Sequence, residues 1–150
     1  MQFFCNLWYY IDNSELLCLQ IERELVMSEK KKILHIAEAM GGGVFTYLVE
    51  LSNSLSEEYD VTIAFGVRSE TPQNYAEYFN KNINLVRIEN FRRSVNPIKD
   101  FNATIELRKI IKELKPDIIH LHSSKAGAIG RLFLYNKEHK MFYTPHGYSF

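Results

Sequence analysis

The chain has 150 residues, 46% hydrophobic and 24% charged, with Lys+Arg 18 balanced by Asp+Glu 18. This profile fits one soluble globular domain with a real core, excludes a disordered chain, and leaves no net field to recruit nucleic acid. Cys5 and Cys18 make no metal or disulfide framework, no run of eighteen apolar residues occurs, and the N-terminus lacks a secretory pattern, so a cytoplasmic location is expected.

Residues 1–26 crowd Phe3, Phe4, Trp8, Tyr9 and Tyr10 together and match no later pattern. The polar run Met27-Ser28-Glu29-Lys30-Lys31-Lys32 reads as an ordinary start before a first strand, with an aromatic membrane-touching arm as the competing account of what precedes it. The expected division is therefore an extension over 1–27 and a partial domain over 28–150.

Lys32 to Ala37 has the short, continuous apolar character of a buried parallel strand. Gly41-Gly42-Gly43 follows, and Val44, Tyr47, Leu48, Leu51 and Leu55 then recur at helical spacing. Tyr59 to Phe65 supplies a second strand. A polar loop from Gly66 to Lys81 has room for a short helix near Tyr75, and Ile83 to Ile88 alternates as a third strand. Pro97 is placed to begin a helix carrying Ile98, Phe101, Ile105, Leu107, Ile110, Ile111 and Leu114, which must stop before Pro116. Asp117 to Leu121 is a fourth strand, Ser123 or Ser124 caps a helix to about Tyr135, and Lys140 to Thr144 is a fifth strand. Strands alternating with helices predict an α/β fold, a doubly wound, Rossmann-like parallel sheet. The last strand has no covering helix after it, so a truncated protein is expected.

Candidate chemistry gathers at strand ends. The triple glycine precedes a helix N-terminus, where bare amides favour a phosphate; the alternative is a plain tight turn. Thr46 and Phe65-Gly66 stand where a dinucleotide fingerprint needs a glycine and an acidic residue, which argues against a nicotinamide-dependent oxidoreductase. His120 and His122 share a strand face. His120 and His35 read as structural, while His122, nearer the C-terminal end, is open between a structural and a site role. No carboxylate or cysteine joins the pair at ligand spacing, so no metal is expected. Lys125 opposes the dipole of its helix and points to an anionic ligand, or else is a solvent-facing lysine. Gly127 and Gly130 fit tight helix packing or room for a ligand. Thr144-Pro145-His146-Gly147 brings a further histidine to the same edge.

The segments Arg-Ser-Val-Asn-Pro-Ile-Lys-Asp (93–100), Lys-Pro-Asp-Ile-Ile-His-Leu-His-Ser-Ser-Lys-Ala-Gly-Ala-Ile-Gly-Arg (115–131) and Tyr-Thr-Pro-His-Gly (143–147), with the triple glycine, resemble the N-terminal domain of family 4 glycosyltransferases. The likeness is greatest to bacterial capsular and exopolysaccharide sugar transferases. It implies the incomplete N-terminal half of a two-domain GT-B fold, retention of anomeric configuration, a nucleotide-sugar donor as substrate, and no cofactor or metal. The donor-binding domain lies outside this sequence, so the chain alone is expected to be inactive. A non-catalytic sugar-binding module, or one half of a split transferase, is the alternative.

By the same resemblance, Gly42 and Gly43 approach the donor, His146 touches the transferred sugar, and His122, Ser123, Ser124, Lys125 and Gly147 line the cleft. Arg92 and Arg93 are expected to meet the phosphate of a glycan or polyprenyl-diphosphate-linked acceptor, with peripheral contact at the cytoplasmic membrane face.

Overall fold

In a computed structural model of the chain, residues 30–146 are described, apart from residues 39, 93 and 95. The elements in order are β1 (Lys32–Ala37), α1 (Gly42–Leu55), β2 (Asp60–Phe65), a 3-10 turn (Tyr75–Tyr78) and β3 (Asn84–Arg87). Then come α2 (Pro97–Leu114), β4 (Ile118–His122), α3 (Ser124–Ile129), a π-helical turn (Gly130–Leu134) and β5 (Lys140–Thr144). The strands form one five-stranded parallel sheet in the order β3-β2-β1-β4-β5. The strand order reverses between β1 and β4, the position where open α/β sheets leave a crevice at the carboxyl ends of their strands.

The sheet is covered on both sides. One core joins Leu34, Ile36, Ala64, Ile119 and Leu121 of the strands to Ala103 and Leu107 of α2 and to Ala126 and Ile129 of α3. The other joins Ala37, Val61, Ile63 and Phe65 to Phe45 and Leu48 of α1. Because β1 is buried on both faces beyond Lys32, its sequence from Ile33 to Ala37 is apolar except at His35, which is fully buried.

Helix α2 begins as its sequence dictates. Asn96 caps it by accepting a bond from the Lys99 amide at 3.0 Å, Pro97 follows at the first helical position, and Asp100 accepts from the Asn96 amide at 3.1 Å. It ends at Lys115 in the left-handed region, before Pro116.

The apolar residues of α2 make two stripes rather than one. At 3.6 residues per turn, Ile98, Phe101 and Ile105 lie roughly 170° around the axis from Leu107, Ile110 and Leu114. The latter group packs on the sheet, whereas Ile98 and Phe101 are 75% and 65% exposed. Leu132, Phe133 and Tyr135, beyond α3, are exposed as well. A groove of about 300 Å³ runs between these segments, lined by Phe101, Thr104, Ile105, Ile129 and Phe133 among others.

Gly127 of α3 and Gly130 at the start of the π-helical turn are explained by packing rather than by a ligand. A Cβ on Gly127 would meet the Tyr143 ring at 2.5 Å, and one on Gly130 would meet Leu121 at 2.3 Å. The helix therefore sits closer to the sheet than any larger residue permits.

Candidate functional site

The register aligns the carboxyl ends of three neighbouring strands, β1, β4 and β5, with Ala37 opposite His122 and His122 opposite Thr144. Among the described residues, the loops leaving this edge carry three of the four positive φ angles, the fourth being Lys115 at the end of α2. Gly42 has φ 56°, Ser123 has φ 89° and His146 has φ 54°. Non-glycine residues there hold conformations that cost free energy and persist only when their surroundings enforce them, a pattern concentrated at functional sites.

Histidines occupy the centre of this edge. His35 pairs with His120 across β1 and β4, so His35, His120 and His122 share one sheet face. His35 Nδ1 lies 3.0 Å from His122 Nε2, and His122 Nδ1 lies 2.8 Å from His146 Nε2. A hydrogen-bonded file thus runs from a fully buried ring to a partly buried one. His120 stands beside it, bonded through Nε2 to Thr144 Oγ1 at 2.8 Å. Tyr47 of α1 packs edge-on against His146, with ring centroids 4.7 Å apart.

Burial lowers the pKa of His35 from 6.5 to about 3, with the charge of His120 adding to the effect. His122 is lowered to about 2 by burial, then by His120, His35 and His146. Burial also lowers His120 and His146. All four rings are therefore neutral near pH 7.

This fixes the sign of a pH dependence. In the unfolded chain the buried rings titrate near 6.5, so below that pH the unfolded state binds more protons than the folded one. Stability is full above about pH 6.5 and falls as the pH drops toward the folded values, by about 2 kcal/mol per buried ring at pH 5. Urea midpoints at pH 7.5 and pH 5 should show this fall. A midpoint that does not move between them would contradict the burial of neutral rings.

The glycine loop opens the same edge. Helix α1 begins at Gly42 with Gly41 extended before it and no side chain capping its first amides. A Cβ on Gly42 or Gly43 would meet nothing within 4 Å, so it is the backbone angle of Gly42, and open space beside both residues, that distinguish the turn. Gly66 closes the neighbouring loop, since a Cβ there would lie 2.0 Å from the Phe91 carbonyl. The buried Glu38 after β1 pairs with Arg68 after β2, joining those two loops.

The Lys125 ammonium is engaged within the chain, donating to the carbonyls of Arg92 at 2.6 Å and Ser94 at 2.7 Å and to Asp100 Oδ1 at 2.6 Å. An ammonium has three donors, and these acceptors use them. Asp100 supplies the anion that offsets the unfavourable helix dipole, so no external anion is needed to explain the residue.

Ser123 caps α3, its hydroxyl accepting from the Ala126 amide at 3.4 Å, while Ser124 is exposed beside it. The Arg92 side chain is exposed; Arg93 and Gly147 lie outside the described residues. Nitrogens of His35, His120 and His122 lie within 4.8 Å of one another, and neutral imidazoles are good ligands for zinc-like ions. In this arrangement, however, the facing nitrogens of His35 and His122 are occupied by each other and His120 Nε2 by Thr144.

Tyr47 and the His35–His122 pairing were missed in the sequence. Tyr47 reads as one more residue of a helical stripe, and the face shared by β1 and β4 is known only once those strands are neighbours. A larger cavity of about 760 Å³ lies beside Lys112, Pro116, Asp117 and His139. It sits where β4 and β5 begin, at the opposite edge from the crevice used by open α/β sheets. Among the described residues, no helix is long and apolar enough to cross a membrane.

Comparison with known proteins identifies the family. The chain is 33% identical over 124 residues to an uncharacterized 41.2 kDa protein in the cps region of Klebsiella pneumoniae, covering 79% of this chain and 31% of that one. It is 29% identical over 105 residues to the Escherichia coli UDP-Gal:alpha-D-GlcNAc-diphosphoundecaprenol alpha-1,3-galactosyltransferase, covering 69% of this chain and 26% of the enzyme. It therefore spans less than a third of either relative. In fold it resembles the crystal structure of TcCGT1 in complex with UDP, at TM-score 0.53 and 16% identity, over 77% of this chain and 28% of that one. The glycosyl transferase 4-like family matches residues 32–150, and the chain belongs to that family.

Proposed function

We propose that this chain is the acceptor-side part of a retaining, metal-independent glycosyltransferase that moves a sugar from a nucleotide-sugar donor to a polyprenyl-diphosphate-linked acceptor in cell-surface polysaccharide synthesis. The observation that carries the reading is the convergence of Gly42, Tyr47, Ser123 and His146 at the strand-order reversal, in a chain of this family. The Escherichia coli relative, by its name, uses UDP-Gal and a diphosphoundecaprenol-linked sugar. The open amides of α1 suit the donor diphosphate, and His146 suits a sugar hydroxyl.

Lys125 acts on the acceptor indirectly in this reading, by holding the backbone at Arg92 and Ser94. Arg92 and Arg93 then offer forked donors to a phosphate. The exposed face of Ile98, Phe101, Ile105, Leu132 and Phe133, with Lys99, Lys109 and Lys112 on the same helix, fits peripheral contact with an anionic bilayer holding such an acceptor.

Vesicle flotation tests this. The chain is expected to float with anionic vesicles, more of it when they carry GlcNAc-diphosphoundecaprenol, and the increment is expected to disappear in Arg92→Ala. Equal flotation with and without the lipid-linked sugar would defeat the acceptor assignment.

A further inference from the structure

The histidine file has a direction, and the direction decides what His146 can offer. Each link joins two ring nitrogens at hydrogen-bond distance, so each holds one hydrogen. A neutral imidazole carries one N–H. With every ring neutral, only two arrangements fill both links.

In the first, His35 Nδ1–H donates to His122 Nε2, His122 Nδ1–H donates to His146 Nε2, and His146 keeps a hydrogen on Nδ1. In the second, every hydrogen is reversed, and His35 must carry its own on Nε2. His35 Nε2 is buried and has no hydrogen-bond partner, and the His35 ring is fully buried. The first arrangement leaves a bare lone pair there; the second leaves a buried N–H without an acceptor, and orphaned buried donors are the rarer defect in folded proteins. His120 lies outside the file, since its Nε2 is taken by Thr144.

We infer that His35 and His122 are positioning residues that lock His146 into its Nδ1–H tautomer, so that His146 meets its ligand as a hydrogen-bond donor through Nδ1 and cannot act there as a base. In this structure Nε2 of His146 is already occupied by His122. The partner implied is an acceptor oxygen, such as a sugar hydroxyl or a developing negative charge on a leaving phosphate, and that identification rests on the transferase reading. The tautomer itself does not.

The sequence has His 5, so each ring can be assigned in a long-range proton–nitrogen spectrum of the full chain labelled with ¹⁵N-histidine. At pH 7.5, His35, His122 and His146 are expected to show the Nδ1–H pattern, against the Nε2–H form that dominates in free histidine. An Nε2–H pattern at His122 or His146 would overturn the inference. A His35→Phe variant removes the first donor and is expected to shift His146 toward Nε2–H, whereas His35→Asn, whose amide can replace Nδ1–H, is expected to restore Nδ1–H. A His146 signal unchanged in His35→Phe would show that His35 positions nothing. If that variant fails to fold, the wild-type and His35→Asn spectra still decide. The readout is proton position rather than sugar transfer, so a negative result leaves the transferase reading to the vesicle experiment.

Discussion

Lys125→Met is expected to lower the stability of the chain by about 3 kcal/mol, because it keeps the aliphatic stem and removes a charge that nothing else replaces. Lys125 and Asp100 are 12% and 20% exposed, so the pair is largely withdrawn from solvent. Losing one partner leaves the Asp100 carboxylate uncompensated and the carbonyls of Arg92 and Ser94 without their donor. For a domain of this length, about 3 kcal/mol corresponds to a fall in Tm of roughly 6–12 °C. The double variant Lys125→Met with Asp100→Asn is expected to recover part of the loss, since it removes the stranded charge. Urea unfolding of the single and double variants measures both terms. A single-variant change under about 0.5 kcal/mol would mean that the clasp is a surface pair with little effect. The backbone at Arg92 and Ser94 should become more mobile in the single variant, which would also weaken any phosphate contact made by Arg92.

The second large effect concerns His146. In a protein that joins this domain to a donor-binding domain, His146→Ala is expected to reduce kcat roughly 10²–10³-fold, the usual consequence of deleting one preorganised donor aimed at developing charge. KM for the acceptor should change little, since acceptor contacts are assigned to the Arg92 loop. His146→Gln, which retains a donor, is expected to recover part of the rate. A His146→Ala enzyme with unchanged kcat and a raised KM would place the ring in ground-state binding instead. The backbone argues for the first outcome, because His146 holds a positive φ of 54° while bonded to His122, so its ring is fixed before any ligand arrives.

Much of the fold was legible in the sequence, because parallel strands buried on both faces leave short apolar runs that glycine and proline punctuate. β1 and β5 fall where expected, and α2 starts at Pro97 and ends before Pro116 for the stated backbone reasons. The apolar pattern of α2 was harder. Periodicity identifies an amphipathic face, yet two faces on one helix overlap in sequence, and only the sheet shows that Leu107 is inside and Phe101 outside.

The site divided the same way. That His122 and His146 stand at strand ends follows from the order of elements, and the glycine loop marks itself. The pairing of His35 with His122 depends on strand order and register, which local sequence does not encode. Lys125 shows the same limit: a cation at a helix start calls for an anion, and that Asp100, 25 residues away in the same chain, stands beside it is seen only in the fold.

The central claim, that ligands enter at the carboxyl edge of β1, β4 and β5, is tested most directly by titrating labelled chain with UDP-Gal and with a short-prenyl GlcNAc diphosphate while following amide shifts. The account predicts changes at Gly42, Gly43, Tyr47, Ser123 and His146. Changes confined to Lys112, Tyr135 and His139, around the larger cavity at the opposite edge, would contradict it.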